Sequence, residues 1–421
     1  MGINKYPSCF SNSQKYIKSF MQPQKTQMKI LIIANGFTGA TLPLANEFAS
    51  RGYEVKCMYL VQIGTKCIES LDFESPIPIS LGKMFVLPKS NKLFKYLNDK
   101  VDVCLMPVWK ERKRLEKIGI GKLFTILNNN LLNRYIAQIL DEKPDVVNLL
   151  VHNIKEVKIA NALKKAGIPF TITYHEVLKG LVGTKVLKEE VKQTISLDTT
   201  IICHSYNTAN ELIQTADDST LHGRVNVINF GSFDSYLSYG DGYKLKDLPT
   251  NYLLYLGHIH PYKGLKYLYD AINLLDESSI CKIVIAGGGY DPVIDKMKSD
   301  NRFIVLNHFI DNDVLVYLIR NCTAIVCPYI AASQSGLVQT GMVFGKSIIA
   351  TNVGAFTEIV QDGINGVLCN PADAMSLANA IKRFFIIKDK LETSKLLEQL
   401  NWEKIADKYI NLYKILFTHK F

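Results

Sequence analysis

The sequence lacks the features of a disulfide-rich protein, a zinc protein and a membrane-spanning protein. Its nine cysteines occur singly, without a Cys-x-x-Cys pair, which argues against a disulfide framework and favours a reducing cytoplasm. No apolar run approaches the ~18 residues that a transmembrane helix needs. Residues 1–27 are polar and have no apolar core like that of a secretory signal. We expect them to form a flexible extension, with the first domain beginning at Met28.

Basic residues outnumber acidic residues, which gives the chain a formal net charge of +10. This excess favours an anionic partner such as a phosphorylated ligand or an acidic membrane surface. No recognition-helix or aromatic-basic motif indicates nucleic-acid binding. Basic residues are densest at Lys110, Arg112, Lys113, Arg114, Lys117 and Lys122. With Leu115 and Ile118 at helical spacing, this stretch could lie on anionic lipid or be a solvated helix face.

Short apolar runs alternate with helical patterns along the chain. A length of 421 residues suggests two domains. The alternation predicts an α/β protein with two Rossmann-like, doubly wound parallel-sheet domains facing a cleft. We place the domains at 28–235 and 251–395, a turn-rich linker at 236–250, and a C-terminal helix within 396–421. Candidate strands include Lys29–Ala34, Phe170–Tyr174, Tyr252–Leu256 and Ala324–Cys327.

A phosphate site is indicated by the sequence Gly-His-Ile-His-Pro-Tyr-Lys-Gly from Gly257 to Gly264. It follows one candidate strand and precedes the helical pattern that starts at Leu265. Backbone amides and the helix dipole attract phosphate at such a junction. Lys263 adds a full positive charge, so a diphosphate is the ligand that this pattern favours.

Further segments follow in a characteristic order. They are Ile285-Ala286-Gly287-Gly288-Gly289, Cys327-Pro328-Tyr329, Gln334-Ser335-Gly336, Gly345–Thr351, Val353–Glu358 and Asp362–Gly366. With the Pro-Tyr-Lys-Gly element, this series resembles the retaining GT-B glycosyltransferases of family 4, the glycosyl transferases group 1. The resemblance covers roughly residues 250–390. The first half is similar more weakly, through Met28–Gly39, Tyr174-His175-Glu176 and Asn229–Asp234.

The resemblance implies a metal-independent transfer of a sugar from a nucleoside-diphosphate sugar, with a uridine nucleotide as the default. It implies a saccharide or lipid-linked acceptor, a role in cell-surface polysaccharide synthesis, and a cytoplasmic enzyme that lies at the inner membrane face. The last helix is expected to cross back onto the first domain. The implied catalytic residues are His175 and Lys263. The implied diphosphate ligands are Gly36, Gly39, His258, Lys263, Ser335, Gly336 and Leu337. The implied nucleotide or sugar contacts are Gly257, Gly287, Gln334, Thr340 and Glu358, although Glu358 could instead cap a helix.

Some positions depart from the family pattern. His258 and His260 stand where arginine is common, and the paired glutamates of the family are replaced near Ala331 or Ala332 and near Gln339 or Thr340. Two alternatives therefore stay open: a non-catalytic subunit that binds sugar nucleotide, and a nucleotide-sugar epimerase on the same fold.

Two further patterns are expected to be structural. Asp311-Asn312-Asp313 precedes a helical pattern and is interpreted as a helix start. The histidines at 152, 204, 222 and 308 lack metal-site spacing.

Overall fold

The computed structural model of the protein describes residues 28–73, 77, 82–110, 120–179, 186–246, 248–276, 281–332, 336–394, 398 and 400–418. The expected extension at 1–27, residues 111–119 of the basic stretch, and both Gln334 and Ser335 lie outside these ranges. None of the helices in the described ranges combines the length and apolar character needed to cross a bilayer.

The first half of the described chain is built on one large sheet. Its strands, with a separate hairpin of β3 and β4, are β1 (Lys29–Ala34), β2 (Glu54–Gln62), β3 (Cys67–Ile68), β4 (Leu71–Asp72), β5 (Phe85–Val86), β6 (Val101–Val108), β7 (Val146–Val151), β8 (Phe170–Tyr174), β9 (Thr200–Cys203) and β10 (Val225–Val227). Among the described residues the sheet order is β5-β6-β2-β1-β7-β8-β9-β10. Among the described strands of this sheet, only the β5–β6 pair is antiparallel.

Helices cover both faces of this sheet. They are α1 (Thr38–Ser50), α2 (Ile120–Asp141), α3 (Ile154–Lys165), α4 (Glu189–Ile195) and α5 (Tyr206–Ala216), with short 3-10 turns at Lys92–Lys95 and Ser219–Gly223. The strands are apolar on both sides because both sides are buried: all six residues of β7 are buried, for example. Apolar clusters on opposite faces of the sheet form the core of this domain.

The second sheet is wholly parallel. Its strands are β11 (Tyr252–Leu256), β12 (Lys282–Ala286), β13 (Phe303–Leu306), β14 (Ala324–Cys327), β15 (Ser347–Thr351) and β16 (Gly366–Cys369). Their order in the described chain is β13-β12-β11-β14-β15-β16, which is the doubly wound Rossmann order. The helices are α6 (Leu265–Asn273), α7 (Ile294–Lys298), α8 (Asn312–Asn321), α9 (Gly336–Val343), α10 (Phe356–Ile359) and α11 (Ala374–Ile387), with 3-10 turns at Pro261–Lys263 and Lys388–Lys390. The predicted fold class is confirmed.

Two segments tie the domains together. A 3-10 turn at Asp234–Tyr239 lies just after the first sheet, and Tyr236 and Tyr239 are buried within it. The segment predicted to be a linker therefore begins as packed structure. Helix α12 (Trp402–Thr418) packs on α1, and the indole N–H of Trp402 donates to the carbonyl of Ser232 at 2.6 Å.

Candidate functional site

The candidate site lies where the strand order of each sheet reverses. In the second sheet this point is between β11 and β14, and in the first it is between β1 and β7. Ligands of open α/β sheets bind at the carboxyl ends of the strands at such points. The loops that leave these ends begin at Gly257 and Pro328 in the second domain and at Asn35 and His152 in the first.

The loop after β11 packs tightly against the loop after β14. The amide of Ile330 donates to the carbonyl of Tyr262 at 2.9 Å. Gly264 has a φ of 74°, and a Cβ at this position would lie 1.9 Å from the carbonyl oxygen of Pro328. Glycine is therefore required here by both conformation and space, and the contact fixes Lys263 beside the second loop.

Lys263 is a partly buried cation packed on aromatic rings. Its Nζ lies 3.8 Å from the ring centroid of Tyr329 and 5.0 Å from that of Tyr262. Burial lowers the pKa of Lys263 to about 8, while Cys327 and Glu176 act in the opposite direction. In the described part of the chain, no carboxylate forms an ion pair with this ammonium group. A desolvated cation at a strand switch point is suited to an anionic ligand.

Helix α9 supplies the other predicted diphosphate contacts. Gly336 is its first residue, and Leu337 is partly buried against the core of the second domain. Thr340 is buried, and its hydroxyl donates to the carbonyl of Gly336 at 2.8 Å, so this hydroxyl supports the helix in the present arrangement. Gln339 is also buried, with its Oε1 unpaired among the described residues.

The glycine turn of the first domain already holds an anion from the protein itself. The carboxylate of Glu69 accepts from the amides of Phe37 and Gly39, both at 3.0 Å. These amides open α1, where helix geometry favours negative charge. Burial raises the pKa of Glu69, and the amide donors oppose that change. Gly36, with a φ of 89°, lies at the same turn.

One aromatic ring lies between the glycine turn and helix α9. A Cβ on Gly39 would lie 2.4 Å from the ring of Phe233, and a Cβ on Gly336 would lie 2.5 Å from the same ring. Two glycines assigned to diphosphate binding therefore contact one phenylalanine from different domains. Each is glycine because a side chain would displace that ring.

His175 belongs to a row of histidines. His152, His175 and His204 each follow the last residue of β7, β8 and β9, which are neighbouring parallel strands. The ring of His175 lies 4.6 Å from that of Phe37 and 6.1 Å from that of His204. Burial, reinforced by the His204 charge, lowers the pKa of His175 to about 3. No cluster of potential metal ligands is found among the described residues.

Two glutamates lie at the space between the domains. Glu176 is paired with Lys188 at 2.9 Å, and its charge partly opposes the lowering of the Lys263 pKa by burial. Glu358 accepts from the amides of Tyr206 and Asn207 at 3.0 and 2.8 Å. It thus caps α5 of the first domain. Of the two roles left open for Glu358, the structure contains the helix cap.

The remaining predicted residues lie in the loops after β11 and β12. Gly257 and Gly287 contact each other, and a Cβ on Gly287 would lie 1.9 Å from the carbonyl oxygen of Gly257. His258 is exposed, and its carbonyl accepts from the hydroxyl of Tyr255 at 2.8 Å. Gly257 and His258 share one loop with Lys263, and Gly287 opens the neighbouring loop after β12. Gln334 and Ser335 lie outside the described residues.

Sequence patterns did not reveal Glu69, Phe233, Tyr329 or His204 as site residues. Each reaches the site from a different chain segment, so no local spacing marks it. Only the position of His204 directly after an apolar strand could have drawn attention to it. At the predicted helix start, Asp311 stands at the N-cap of α8 without a side-chain cap. The neighbouring Asn312 instead donates to the carbonyl of Glu69 at 2.6 Å.

Comparisons with solved structures identify the fold as GT-B. Sucrose-phosphate synthase from Thermosynechococcus elongatus has a TM-score of 0.66 at 16% identity, covering 93% of this chain and 100% of that one. Anabaena HepE, solved in complex with UDP-glucose, has a TM-score of 0.55 at 16% identity, covering 92% and 98% of the two chains. At these identities the likeness shows the fold alone.

The second domain also matches a known family model. Residues 250–385 match the family model described as Glycosyl transferases group 1. An uncharacterized glycosyltransferase of Methanocaldococcus jannaschii is 23% identical over 261 residues, which are 58% of this chain and 62% of the relative. The chain thus spans less than two thirds of that relative's length. The matched region contains Lys263, Gly287, Thr340 and Glu358.

Proposed function

We propose that the protein is a retaining, metal-independent glycosyltransferase that uses a nucleoside-diphosphate sugar. The acceptor is a saccharide or a lipid-linked saccharide of the cell surface. Lys263 carries the proposal, because it is a desolvated cation without an ion-pair partner among the described residues, at the switch point of a group 1 domain. A diphosphate is the anion that the family match makes most suitable for this position.

Lys263 would act on the charge that develops during transfer. As the bond between the anomeric carbon and the diphosphate oxygen breaks, negative charge grows on the leaving phosphate. An ammonium group held in place beforehand stabilises that charge without reorganising. The acceptor oxygen bonds to the same face of the anomeric carbon, and its proton passes to the departing phosphate. This route needs no protein nucleophile, and the amides that open α9 would share the charge.

His175 would contact the transferred sugar from the opposite domain. Its pKa is low because of burial, so the ring is neutral at physiological pH. A neutral imidazole can donate or accept a hydrogen bond but adds no charge to the site. Glu176, which follows it, faces Lys263 across the cleft and is suited to a sugar hydroxyl.

A ligand-dependent melting experiment tests the donor assignment. Nucleoside diphosphates and their sugars are added singly to wild type, Lys263→Met and Lys266→Met. Lys266 is a matched control because it is exposed on α6 and paired with Asp270 at 2.6 Å. We expect stabilisation by uridine nucleotides in wild type and Lys266→Met and its loss in Lys263→Met. Equal shifts in all three proteins would contradict the role of Lys263.

Catalysis is tested separately from binding. Release of UDP from a sugar nucleotide in the presence of saccharide acceptors, with and without EDTA, measures transfer and its independence of metal. NMR of the product reports whether the anomeric configuration is retained. Donor binding without transfer to any acceptor would favour a non-catalytic subunit. The Glu69 carboxylate, which already accepts from an amide of the glycine turn, also supports that alternative.

We further propose that α2 rests on an anionic membrane. Leu123, Ile126 and Leu127 occupy one face of this helix at 55, 57 and 37% exposure, and the basic stretch that starts at Lys110 lies just before it. Apolar and basic residues together favour an anionic lipid surface. Flotation with vesicles containing phosphatidylglycerol should capture wild type but not a Leu123→Gln/Ile126→Gln variant. Ile386→Gln, which removes an 80% exposed apolar residue from α11, is the control. Equal flotation of all three proteins would refute the proposal.

A further inference from the structure

The glycine turn of the first domain, residues 36–39, has the backbone geometry of an anion nest. Gly36 and Phe37 are both left-handed, with φ angles of 89° and 58°, and the right-handed helix α1 follows from Thr38. Such a change of hand turns successive amide N–H groups toward one point, and the resulting concavity binds anions. Phe37 adopts this conformation without the freedom of glycine, which is uncommon and concentrated at functional sites. We call residues 36–39 the anion nest.

The carboxylate of Glu69 fills this nest. It accepts from the amides of Phe37 and Gly39, both at 3.0 Å, and from the hydroxyl of Thr38 at 3.4 Å. In the part of the chain that the structure describes, no lysine or arginine pairs with this carboxylate. The partial charges of the nest therefore hold an anion without help from a cation, and that anion belongs to the chain itself.

The nest belongs to the cleft between the domains. The ring of Phe233 lies against Gly39 of the nest and against Gly336, the first residue of α9 in the second domain. Lys263 of the second domain is a desolvated cation that lacks an ion-pair partner among the described residues. The first domain thus presents an anion without a cation, and the second presents a cation without an anion. A phosphate group in place of the carboxylate would bring the missing negative charge into the cleft.

The β3–β4 hairpin that carries Glu69 is anchored independently of the nest. The side-chain amide of Asn312 donates to the carbonyl of Glu69 at 2.6 Å and to the carboxylate of Asp72 at 2.8 Å. The hydroxyl of Tyr239 donates to the carbonyl of Ser70 at 2.9 Å. Although its carboxylate is desolvated in the nest, Glu69 as a whole is an exposed residue at the hairpin tip. Its side chain can therefore turn into solvent while the hairpin backbone keeps its bonds.

We propose that Glu69 is an autoinhibitory residue, whose carboxylate occupies the anion nest and is displaced when a phosphate group of the ligand binds there. The exchange is non-covalent, because phosphate oxygens take over the amides that the carboxylate leaves. This inference deepens the proposed function and rests on it only in taking a phosphate-bearing donor as the ligand. A site that is competent for a fraction of the time binds with an affinity reduced by that fraction. Since the carboxylate acts as a helix cap, we expect a reduction of about 2- to 30-fold.

Titration calorimetry with inorganic pyrophosphate tests the competition. Glu69→Gln keeps the size of the side chain but removes its charge, and amides hold a neutral acceptor less strongly than a carboxylate. Pyrophosphate should bind Glu69→Gln about 2- to 30-fold more tightly than wild type. Asp72→Asn is the matched control, because it removes an equal charge from the same hairpin at a carboxylate that bonds Asn312 instead of the nest; it should bind like wild type. Equal affinities of wild type and Glu69→Gln, an equal gain in both variants, or no binding to any of the three proteins would overturn the proposal.

A second measurement uses wild type alone, so it does not depend on the folding of any variant. A crystal structure of the full chain with pyrophosphate should show phosphate oxygens on the amides of Phe37 and Gly39, with the Glu69 carboxylate turned away. A carboxylate still bound to both amides in the presence of pyrophosphate would overturn the proposal. Neither measurement requires sugar transfer. If both give the expected result and no acceptor receives a sugar, the competition stands and the proposed function fails.

Discussion

The clearest prediction concerns Lys263, whose replacement should stabilise the unliganded protein while abolishing diphosphate binding. Burial lowers the pKa of this lysine from an ordinary 10.5 to about 8. A change of this size corresponds to about 3 kcal/mol of unfavourable free energy for the charged form. The cation–π contact with Tyr329 at 3.8 Å offsets about 1 kcal/mol. Lys263→Met, which keeps the length and removes the charge, should therefore raise the free energy of unfolding by about 2 kcal/mol at pH 7.

The pH dependence of this difference identifies its cause. The unfolded chain holds the lysine proton up to about pH 10.5, and the folded protein releases it near pH 8. Between these values the unfolded state binds more protons, so wild-type stability rises with pH. The destabilising contribution is fully present below about pH 8 and disappears as the pH approaches 10.5. The advantage of Lys263→Met should shrink over the same interval.

Urea denaturation followed by circular dichroism measures both effects. Wild type, Lys263→Met and Lys266→Met are compared at pH 7, 8.5 and 10, each with and without UDP. We expect Lys266→Met to follow wild type in its response to UDP. The reasoning is refuted if Lys263→Met is less stable than wild type, or if the difference between them does not change with pH.

Three further outcomes follow from the contacts of the cleft. Glu69→Ala should lower the free energy of unfolding by about 0.5–2 kcal/mol, like the loss of a helix cap. Pyrophosphate should nevertheless raise the melting temperature of this variant more than that of wild type, because the freed amides can bind it. An equal rise in both proteins would contradict this reasoning. Glu358→Ala should loosen the contact between the second domain and α5. Small-angle scattering should therefore give a larger radius of gyration for this variant than for wild type. An identical radius for the two proteins would refute the domain contact. Gly287→Ala should melt at a much lower temperature than Gly257→Ala. Both glycines have a positive φ angle, but only a Cβ on Gly287 would collide with a backbone atom. Similar melting temperatures would argue against the close contact between Gly287 and Gly257.

Regular structure with a strong apolar signature was predictable from the sequence. The ranges expected for β1, β8, β11 and β14 agree with the structure, since these strands are buried on both faces and appear as continuous apolar runs. The start of helix α1 at Thr38 has no comparable signature. The amides at this start are held by the Glu69 carboxylate, which comes from a distant hairpin. Strand β6 was not predicted, although it pairs along its full length with β2; Asp102 and Pro107 interrupt its apolar pattern.

The site was predictable only where one chain segment carries it. The loop from Gly257 to Gly264 has its strand, turn and helix in consecutive order, so Lys263 could be assigned from the sequence, and its role stays a prediction. Glu69, Phe233 and His204 reach the site through the tertiary fold. Parallel strands place residues that are far apart in the chain side by side, as with His175 and His204. No spacing rule within one sequence contains that information.

The position of α12 bears on the order in which the protein can fold during synthesis. The core of the first domain contains Phe48 from α1 together with Trp402, Tyr409 and Tyr413 from α12. A ribosome makes α1 early and α12 only after the entire second domain, at about 5–20 residues per second. The apolar side of α1 therefore stays uncovered for most of translation, while the second domain already has every strand of its own sheet. Nascent chains of this protein should consequently depend on chaperones at the first domain for longer than at the second.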